Sequence, residues 1–274
     1  MLRDLSASAI SEAIEQNFRD FTTAYVHTAH GEVHEETDLT WVYSGKRLSY
    51  FNGVLRTVLS GSDLEKTIET KLAYFQQREQ RMSWWVMPST RPRDLPRYLE
   101  AHGLTLGWQD IGMAIDLEKI KDTGLATPRL AIEQVRDEES MRQWLYAFSQ
   151  GFELEEKIAN NYGALVTSVP PAQHPVSFYL ARLDGKPVAT SALYCTAGVA
   201  GIYEVCTVSS ARRQGIGAAV VTAALHDGQA QGYRIAILQA SQMGEPVYQR
   251  IGFTSYCTLD AYCWEPSHAG RAES

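Results

Sequence analysis

Arg212-Arg213-Gln214-Gly215-Ile216-Gly217 is the stretch on which the reading of this chain turns. It sits between a predicted strand, Ala200 to Val208, and a predicted helix, Gly215 to Gln231, whose apolar stripe is Val220, Val221, Ala224 and Leu225. A glycine-rich turn that enters a helix lets several backbone N–H groups converge, and the helix start adds partial positive charge. Such a turn can hold phosphate. Spacing separates the known phosphate loops. A dinucleotide fingerprint needs G-x-G-x-x-G, but the sixth position from Gly215 is Val220, and no acidic residue lies about 20 positions further on. The triphosphate loop needs a lysine that is absent here. What fits is R-x-x-G-x-G, with a positive residue ahead of the turn.

Upstream, Val176 to Arg182, Pro187 to Thr196 and Ala200 to Val208 read as three strands joined by Asp184-Gly185 and Ala197-Gly198 turns, an antiparallel meander. A strand over Leu130 to Val135 and a helix capped by Asp137, with Glu138 and Glu139 at its positive end, precede a Pro-containing loop that leads into the meander. Downstream, a strand over Arg234 to Ala240, a short helix over Pro246 to Arg250 and a strand over Ser255 to Trp264 follow the long helix. Ser241, Gly244, Tyr248, Gly252 and Phe253 form a second spaced motif there.

With both motifs in this order, Pro128 to Trp264, about half of the chain, resembles the GNAT acyltransferase superfamily. In that family R-x-x-G-x-G or Q-x-x-G-x-G binds the pyrophosphate of acetyl-CoA, and a segment Asn/Ser-x-x-Ala/Gly-x-x-x-Tyr-x-x-x-Gly-Phe follows one strand later. The resemblance implies an α/β fold with a mixed sheet. It also implies that Arg212, Arg213, Gln214, Gly215, Ile216, Gly217 and Ala218 hold the cofactor, with Ser241 beside them. The N–H groups of Arg213 to Ala218 would bond the pyrophosphate oxygens, and side chains at Gly215 and Gly217 would collide with them. Val205, Cys206 and Thr207 match the family's strand segment that pairs with the pantetheine amides, so Cys206 is expected as a small, partly buried side chain and not as a nucleophile.

By the same resemblance Tyr248 is the candidate general acid, a phenol that protonates the departing thiolate, and Glu204 the candidate general base. By a period of two, Glu204 could instead face away from the cleft, in which case Tyr203 or a residue of the first part would replace it. The expected activity is acetyl-CoA-dependent transfer of an acetyl group to a primary amine in a ternary complex. The acidic balance favours a small cationic acceptor. The alternative is a non-catalytic acyl-CoA-binding regulatory protein.

The first part reads as an α/β unit. A helix begins at Ala9 with Ile10, Ile14, Phe18, Phe21 and Tyr25 on one face. An acidic loop with His30, Glu32, His34, Glu35 and Glu36 follows; its His-x-Glu-x-His order is not the helical metal motif, and no metal is expected. Strands are predicted over Trp41 to Tyr43 and Arg47 to Leu59, with Asn52-Gly53 as a bulge or close backbone approach. A capping box Ser62-Asp63-Leu64-Glu65 starts a helix to about Glu79, Ser83 to Met87 is a buried strand closed by Pro88, and Asp94 caps a short helix with Pro96 in its first turn and Gly103 just past its end. Trp108 to Leu117 is the last strand. This order mimics a shortened copy of the second part, without a residue-level repeat, and resembles the degenerate half of a tandem GNAT protein. The boundary is placed in Glu118 to Pro128, giving 1–120 and a catalytic 128–274. Asn52-Gly53, Trp84-Trp85 and Trp108 read as core or as lining of a cleft between the two.

The chain has 274 residues, is 45% apolar, and carries 25 Lys+Arg against 32 Asp+Glu. The net charge is −4 over 1–120 and −3 over the rest, so neither part is a basic body, and nucleic acid or an anionic membrane is not an expected partner. Met1 to Phe21 carries Asp4, Glu12, Glu15 and Asp20 and does not read as a secretory signal, so a cytoplasmic location is expected. The longest uncharged stretch, Ile158 to Ala181, contains Pro170, Pro171 and Pro175 and would not span a membrane. Cys195, Cys206, Cys257 and Cys263 form no CxxC pair and are expected as thiols. The tail from Pro266 to Ser274 is expected to be disordered.

Overall fold

The computed structural model describes residues 1–59, 63–120 and 128–266. The first half runs α1 (Ala7–Thr28), β1 (Glu32–Glu35), β2 (Leu39–Tyr43), β3 (Asn52–Thr57), α2 (Leu64–Gln76), β4 (Met82–Val86), α3 (Leu95–Ala101) and β5 (Thr105–Asp116). The second runs β6 (Leu130–Gln134), α4 (Glu138–Gly151), α5 (Glu156–Val166), β7 (Ser177–Leu183), β8 (Lys186–Thr196), β9 (Val199–Thr207), α6 (Ile216–Ala230), β10 (Ile235–Ala240), α7 (Glu245–Ile251) and β11 (Thr254–Trp264). The expected mixed α/β architecture is present.

Among the described residues the strands form one 11-stranded sheet, ordered β1-β2-β3-β4-β11-β5-β10-β9-β8-β7-β6. Two neighbouring pairs are parallel, β3 with β4 and β9 with β10; the others are antiparallel. Each parallel pair is bridged by a helix, α2 or α6, and followed by a short helix and a long strand. Those two long strands leave their own halves. β5 lies between β10 and β11, while β11 lies between β5 and β4. Each half thus covers an edge that the other would otherwise leave unpaired.

Turn chemistry sets the meander. Asp184 (φ 51°) with Gly185 (φ 78°), and Ala197 (φ 52°) with Gly198 (φ 76°), occupy the left-handed region at both central positions, the two-residue turn whose twist matches an antiparallel hairpin. Asp137 caps α4 by accepting from the Ser140 N–H at 2.7 Å. At Gly53 (φ 135°) a Cβ would stand 1.8 Å from the Ser83 carbonyl oxygen, so the expected close approach is that of β3 onto β4.

Alternate residues of β7 and β8 enter two different cores. Phe178, Leu180 and Ala192 join Trp144 of α4, while Tyr179, Ala181 and Leu193 join Val220, Val221 and Leu225 of α6. The first of these cores is continuous with α1, whose Ile14, Phe18, Phe21 and Tyr25 also pack on Phe51 and Trp85. Trp84 belongs to a third core beneath α2 and α3. Trp84 and Trp85 are therefore core residues, whereas Trp108 is 40% exposed.

Three expectations are corrected. The acidic stretch after α1 is not a loop but the edge strand β1, in which His34 stacks on Trp41 at 3.9 Å, because cross-strand pairing to β2 outweighs its charge. The strand predicted from Arg47 starts only at Asn52; Ser49–Phe51 is a 3-10 turn, and Asn52 accepts from the Ser44 N–H at 2.8 Å to hold the loop. The Pro-containing loop before β7 includes the helix α5, ending well before Pro170. Ser62 of the capping box, 121–127 of the predicted linker and 267–274 of the tail lie outside the described residues. Among the described residues no helix is long and apolar enough to cross a membrane, and no group of three or more His, Cys, Asp or Glu is placed to hold a metal.

Candidate active site

The sheet opens between β9 and β10. β9 and β10 pair only from Ala200/Ala236 to Ile202/Leu238. Beyond that level β10 stays on β5 through Gln239 and Ala240, while β9 continues on β8 to Thr207. A β-bulge exaggerates the divergence: between the pairs Ala192/Tyr203 and Thr190/Cys206, both Glu204 and Val205 oppose Ser191 alone. Glu204 takes φ 55°, in the left-handed region, and the Thr190 hydroxyl donates to its carbonyl at 2.7 Å. From Tyr203 to Thr207 the β10 side of β9 pairs with no strand among the described residues.

The bulge turns the Glu204 side chain into a cavity of about 510 Å³ at the opening. Tyr25 of α1 donates its hydroxyl hydrogen to Glu204 Oε1 at 2.7 Å, and the Tyr162 hydroxyl of α5 donates to the same oxygen. Oε2 is buried and has no partner among the described residues. Burial raises the carboxyl from the usual 4.5 to about 7, against the opposing pull of the two phenols. Glu204 therefore does not face away. Its proposed substitute Tyr203 is buried, stacked on Phe21 at 3.7 Å and donating to Asn17 Oδ1 at 2.6 Å.

Tyr248 of α7 and Ser241 line the same cavity. The spacing of the second motif has a packing reason. The Ser241 hydroxyl accepts from the Gly244 N–H at 3.2 Å, and a Cβ at Gly244 would come within 3.2 Å of the Tyr248 ring. Gly252 (φ 122°) ends α7 where a Cβ would press on Ile115 of β5. The Tyr248 hydroxyl makes no hydrogen bond among the described residues; burial, with the Cys206 thiol adding, holds its pKa above 10, so it is protonated at neutral pH.

At the mouth of α6, Arg213 (φ 62°) and Gly215 (φ 79°) both adopt left-handed backbone. The N–H groups of Arg213, Gln214, Gly215, Ile216, Gly217 and Ala218 have no backbone partner among the described residues; the first helical bond is Ala219 to Gly215. Converging unpaired donors of this kind are an anion cradle. Its first turn carries no acidic residue, and a Cβ at Gly217 would meet the Thr207 hydroxyl at 3.1 Å. Arg212 is turned elsewhere: Nε donates to Thr207 O at 3.0 Å, and Nη2 to Gly151 O at 2.9 Å and Glu153 Oε1 at 3.1 Å. Its guanidinium braces the end of β9 against the end of α4. Cys206 is buried against Thr190 and Gly151, and burial pushes its thiol up to about 12, which suits a packed side chain and not a nucleophile.

Phe148, Phe152 and Ile158 of the second half line the cavity too, and a further wall comes from the first half. Tyr50, Phe51, Trp108 and Asp110 line it together with Arg47 and Arg81. Asp110, on β5, is raised to about 6 by burial and by the neighbouring Asp260. Tyr25, Tyr162 and Asp110 escape a reading of the sequence. Tyr25 is indistinguishable there from the apolar stripe of α1, and Tyr162 lies in a helix taken for a loop. Asp110 leaves a trace, a single acid inside the otherwise uncharged strand Trp108 to Ile115.

Residues 174–255 match the model of an acetyltransferase (GNAT) domain. That segment is a GNAT domain. It runs from just before β7 into β11 and so contains the bulge, the N–H cradle and the Tyr248 motif. Acyl transfer is the general chemistry of this domain family. The whole fold is similar to a GCN5-related N-acetyltransferase from Kribbella flavida, at 19% identity and TM-score 0.67, covering 91% of this chain and 96% of that one. It is also similar to a functionally unknown conserved protein from Staphylococcus epidermidis ATCC 12228, at 15% identity and TM-score 0.68, covering 86% and 94%. A tandem GNAT protein from the clavulanic acid biosynthesis pathway aligns at 12% identity and TM-score 0.54, covering 84% of this chain and 79% of that one. These likenesses are of fold. No curated protein matches the sequence.

Proposed function

We propose that this protein is an acetyl-CoA-dependent N-acetyltransferase built from two GNAT-like halves, 1–120 and 128–274, of which the second holds the cofactor. The observation that carries the reading is Glu204 Oε2, a buried carboxylate oxygen that has no partner among the described residues, at the wall of a cavity, beside a strand edge and a set of N–H groups with no backbone partner among those residues. Acetyl-CoA, when bound, supplies the thioester. The N–H groups from Arg213 to Ala218 suit its pyrophosphate, and the β10-side edge of β9 over Val205, Cys206 and Thr207 suits the amides of its pantetheine arm. Ser241 and Tyr248 flank the far side.

In this reading Glu204 takes one proton from the acceptor ammonium, which leaves a free amine to attack. A C–N bond forms and the C–S bond breaks. The amine's second proton leaves to solvent, and the Tyr248 hydroxyl passes its proton to the departing sulfur. A base with pKa near 7 is matched to this task at neutral pH. Tyr25 and Tyr162 position it. A cytoplasmic setting belongs to the proposal, since it would supply acetyl-CoA and keep Cys195, Cys206, Cys257 and Cys263 as the free thiols observed.

The test is calorimetric titration of acetyl-CoA into wild type and Gly217→Glu, followed by thiol release with a panel of amines. Wild type is expected to bind and to release thiol, whereas a carboxylate at position 217, set among the N–H donors, abolishes binding. Equal heats for the two proteins, or no binding by either, remove the basis of the reading. Binding without release from any amine leaves only a binding protein.

A further inference from the structure

One wall of the cavity is not needed for the chemistry just described, and it comes from the other half of the chain. Asp110 stands on that wall, and its carboxylate has no ion pair or hydrogen bond among the described residues. The charged group that acts on it most closely among the described residues is another acid, Asp260. The cavity's cations do not compensate it. Arg81 is held by Glu265 at 3.4 Å, which leaves Arg47 as the one lining guanidinium without an ion pair among the described residues, against two unpaired carboxylates, Asp110 and Glu204. Beside Asp110, Trp108 shares its face of β5, stacks on Trp85 at 6.3 Å and remains 40% exposed. A carboxylate next to an exposed indole face is a site for a cation, by ion pairing and by cation–π attraction together.

Register places this site relative to Glu204. Ile202 pairs with Leu238, so Glu204 stands level with Ala240. Ala240 pairs with Ile111, whose neighbour is Asp110. Glu204 and Asp110 therefore lie at nearly one height on β9 and β5, with β10 between them. Two strand spacings make this roughly 10 Å, widened where β9 and β10 diverge and shortened by the inward reach of both side chains. The cavity that both side chains line is also lined by Tyr50, Phe51 and Leu238.

We propose that the acceptor carries a second positive charge, seated on Asp110 and Trp108 while the reacting amine meets Glu204. The class is a diamine, or a larger polycationic amine, whose two nitrogens are joined by a mainly apolar spacer. This rests on the N-acetyltransferase reading above and adds to it the role of the first half, which builds the acceptor site on β5. Asp110 binds substrate and takes no part in the proton transfers.

The experiment uses matched acceptors, diaminooctane against octylamine and diaminobutane against butylamine, with wild type, Asp110→Asn and Asp110→Glu. Wild type is expected to prefer diaminooctane over octylamine by about 10- to 100-fold in kcat/KM, the size of one buried charge-assisted contact. The shorter pair should show a smaller preference. Asp110→Asn brings the ratio for the longer pair to within about threefold of unity, chiefly through KM, and Asp110→Glu restores part of it. The same ratio is read as binding, by calorimetry of each amine into the protein with coenzyme A, so that the result does not depend on turnover. Wild type that treats diaminooctane and octylamine alike overturns the proposal without any variant, as does an undiminished preference in Asp110→Asn. Equal acetylation of both amines overturns this inference alone. Failure to release thiol with any amine, beside a retained preference in binding, overturns the enzymatic reading and keeps the cation site.

Discussion

Tyr25→Phe removes one hydroxyl from the wall of the site and leaves the ring, which is buried in the core between α1 and the sheet. The lost contact is the 2.7 Å bond to Glu204 Oε1; Tyr162 keeps the other. A hydrogen bond to a charged group contributes about 1.5–3 kcal/mol, and ~1.4 kcal/mol corresponds to one pKa unit. The bond favours the ionised carboxylate, so its loss raises the Glu204 pKa from about 7 by roughly one to two units. The base works only when ionised. At pH 7 its ionised fraction then falls from about a half to between ~9% and ~1%, and kcat/KM drops about 5- to 50-fold. At a pH above the new pKa the variant recovers. The assay is a pH profile of kcat/KM from thiol release, for wild type, Tyr25→Phe and Tyr162→Phe. The acid limb is expected near 7 in wild type and displaced to higher pH in both variants. A uniform loss of rate at every pH, with the limb in place, would refute the claim that these phenols act through the protonation of Glu204.

Three further outcomes are expected. Tyr248→Phe lowers turnover by ~10² while the heat of acetyl-CoA binding stays close to wild type; unchanged turnover rejects its role as acid. The folded-state pKa of Glu204 lies above its ordinary value, so the native protein holds a proton that the unfolded chain has released between about 4.5 and about 7, and native stability falls as pH rises through that window. Glu204→Gln lacks this slope. In urea unfolding it should match wild type near pH 4.5 and exceed it at pH 8 by up to ~3 kcal/mol, and a constant difference across pH would contradict the burial argument. Gly53→Ala forces a methyl carbon to within 1.8 Å of a carbonyl oxygen at φ 135°, so thermal unfolding should show a loss of several kcal/mol or no folded protein; a Gly53→Ala protein as stable as wild type would mean that β3 and β4 can separate there.

Much of the second half can be read directly from its residues because the signals are local. Left-handed turns need Asp-Gly or a similar pair, which places Asp184-Gly185 and Ala197-Gly198 within a residue of the observed hairpins. R-x-x-G-x-G ahead of an apolar helix marks the cradle of unpaired N–H groups, since the left-handed Gly215 and the missing first-turn partners are properties of the segment itself. Gly244 bonds to the Ser241 hydroxyl through its N–H and leaves room for the Tyr248 ring, all within eight residues, so the spacing survives as a motif. Where pairing partners are distant, the local reading fails. Nothing near Glu32 announces that β2 will take it as an edge strand, and α5 is hidden by prolines that follow it.

The residue types and spacings along this chain determine by themselves the meander, the helix that starts at Ile216 and the candidacy of Glu204 and Tyr248. Whether Glu204 faces the opening is settled by a bulge, that is, by how β9 aligns with β8. Its two phenol partners arrive from α1 and α5, 179 and 42 residues away in the chain. The placement of β5 beside β10, which brings Asp110 and Trp108 to the cavity, comes from the exchange of final strands between the halves. Local preferences act over a few residues, whereas a strand finds its neighbour through the burial of a whole sheet face, and only that global packing decides which distant side chains share a site.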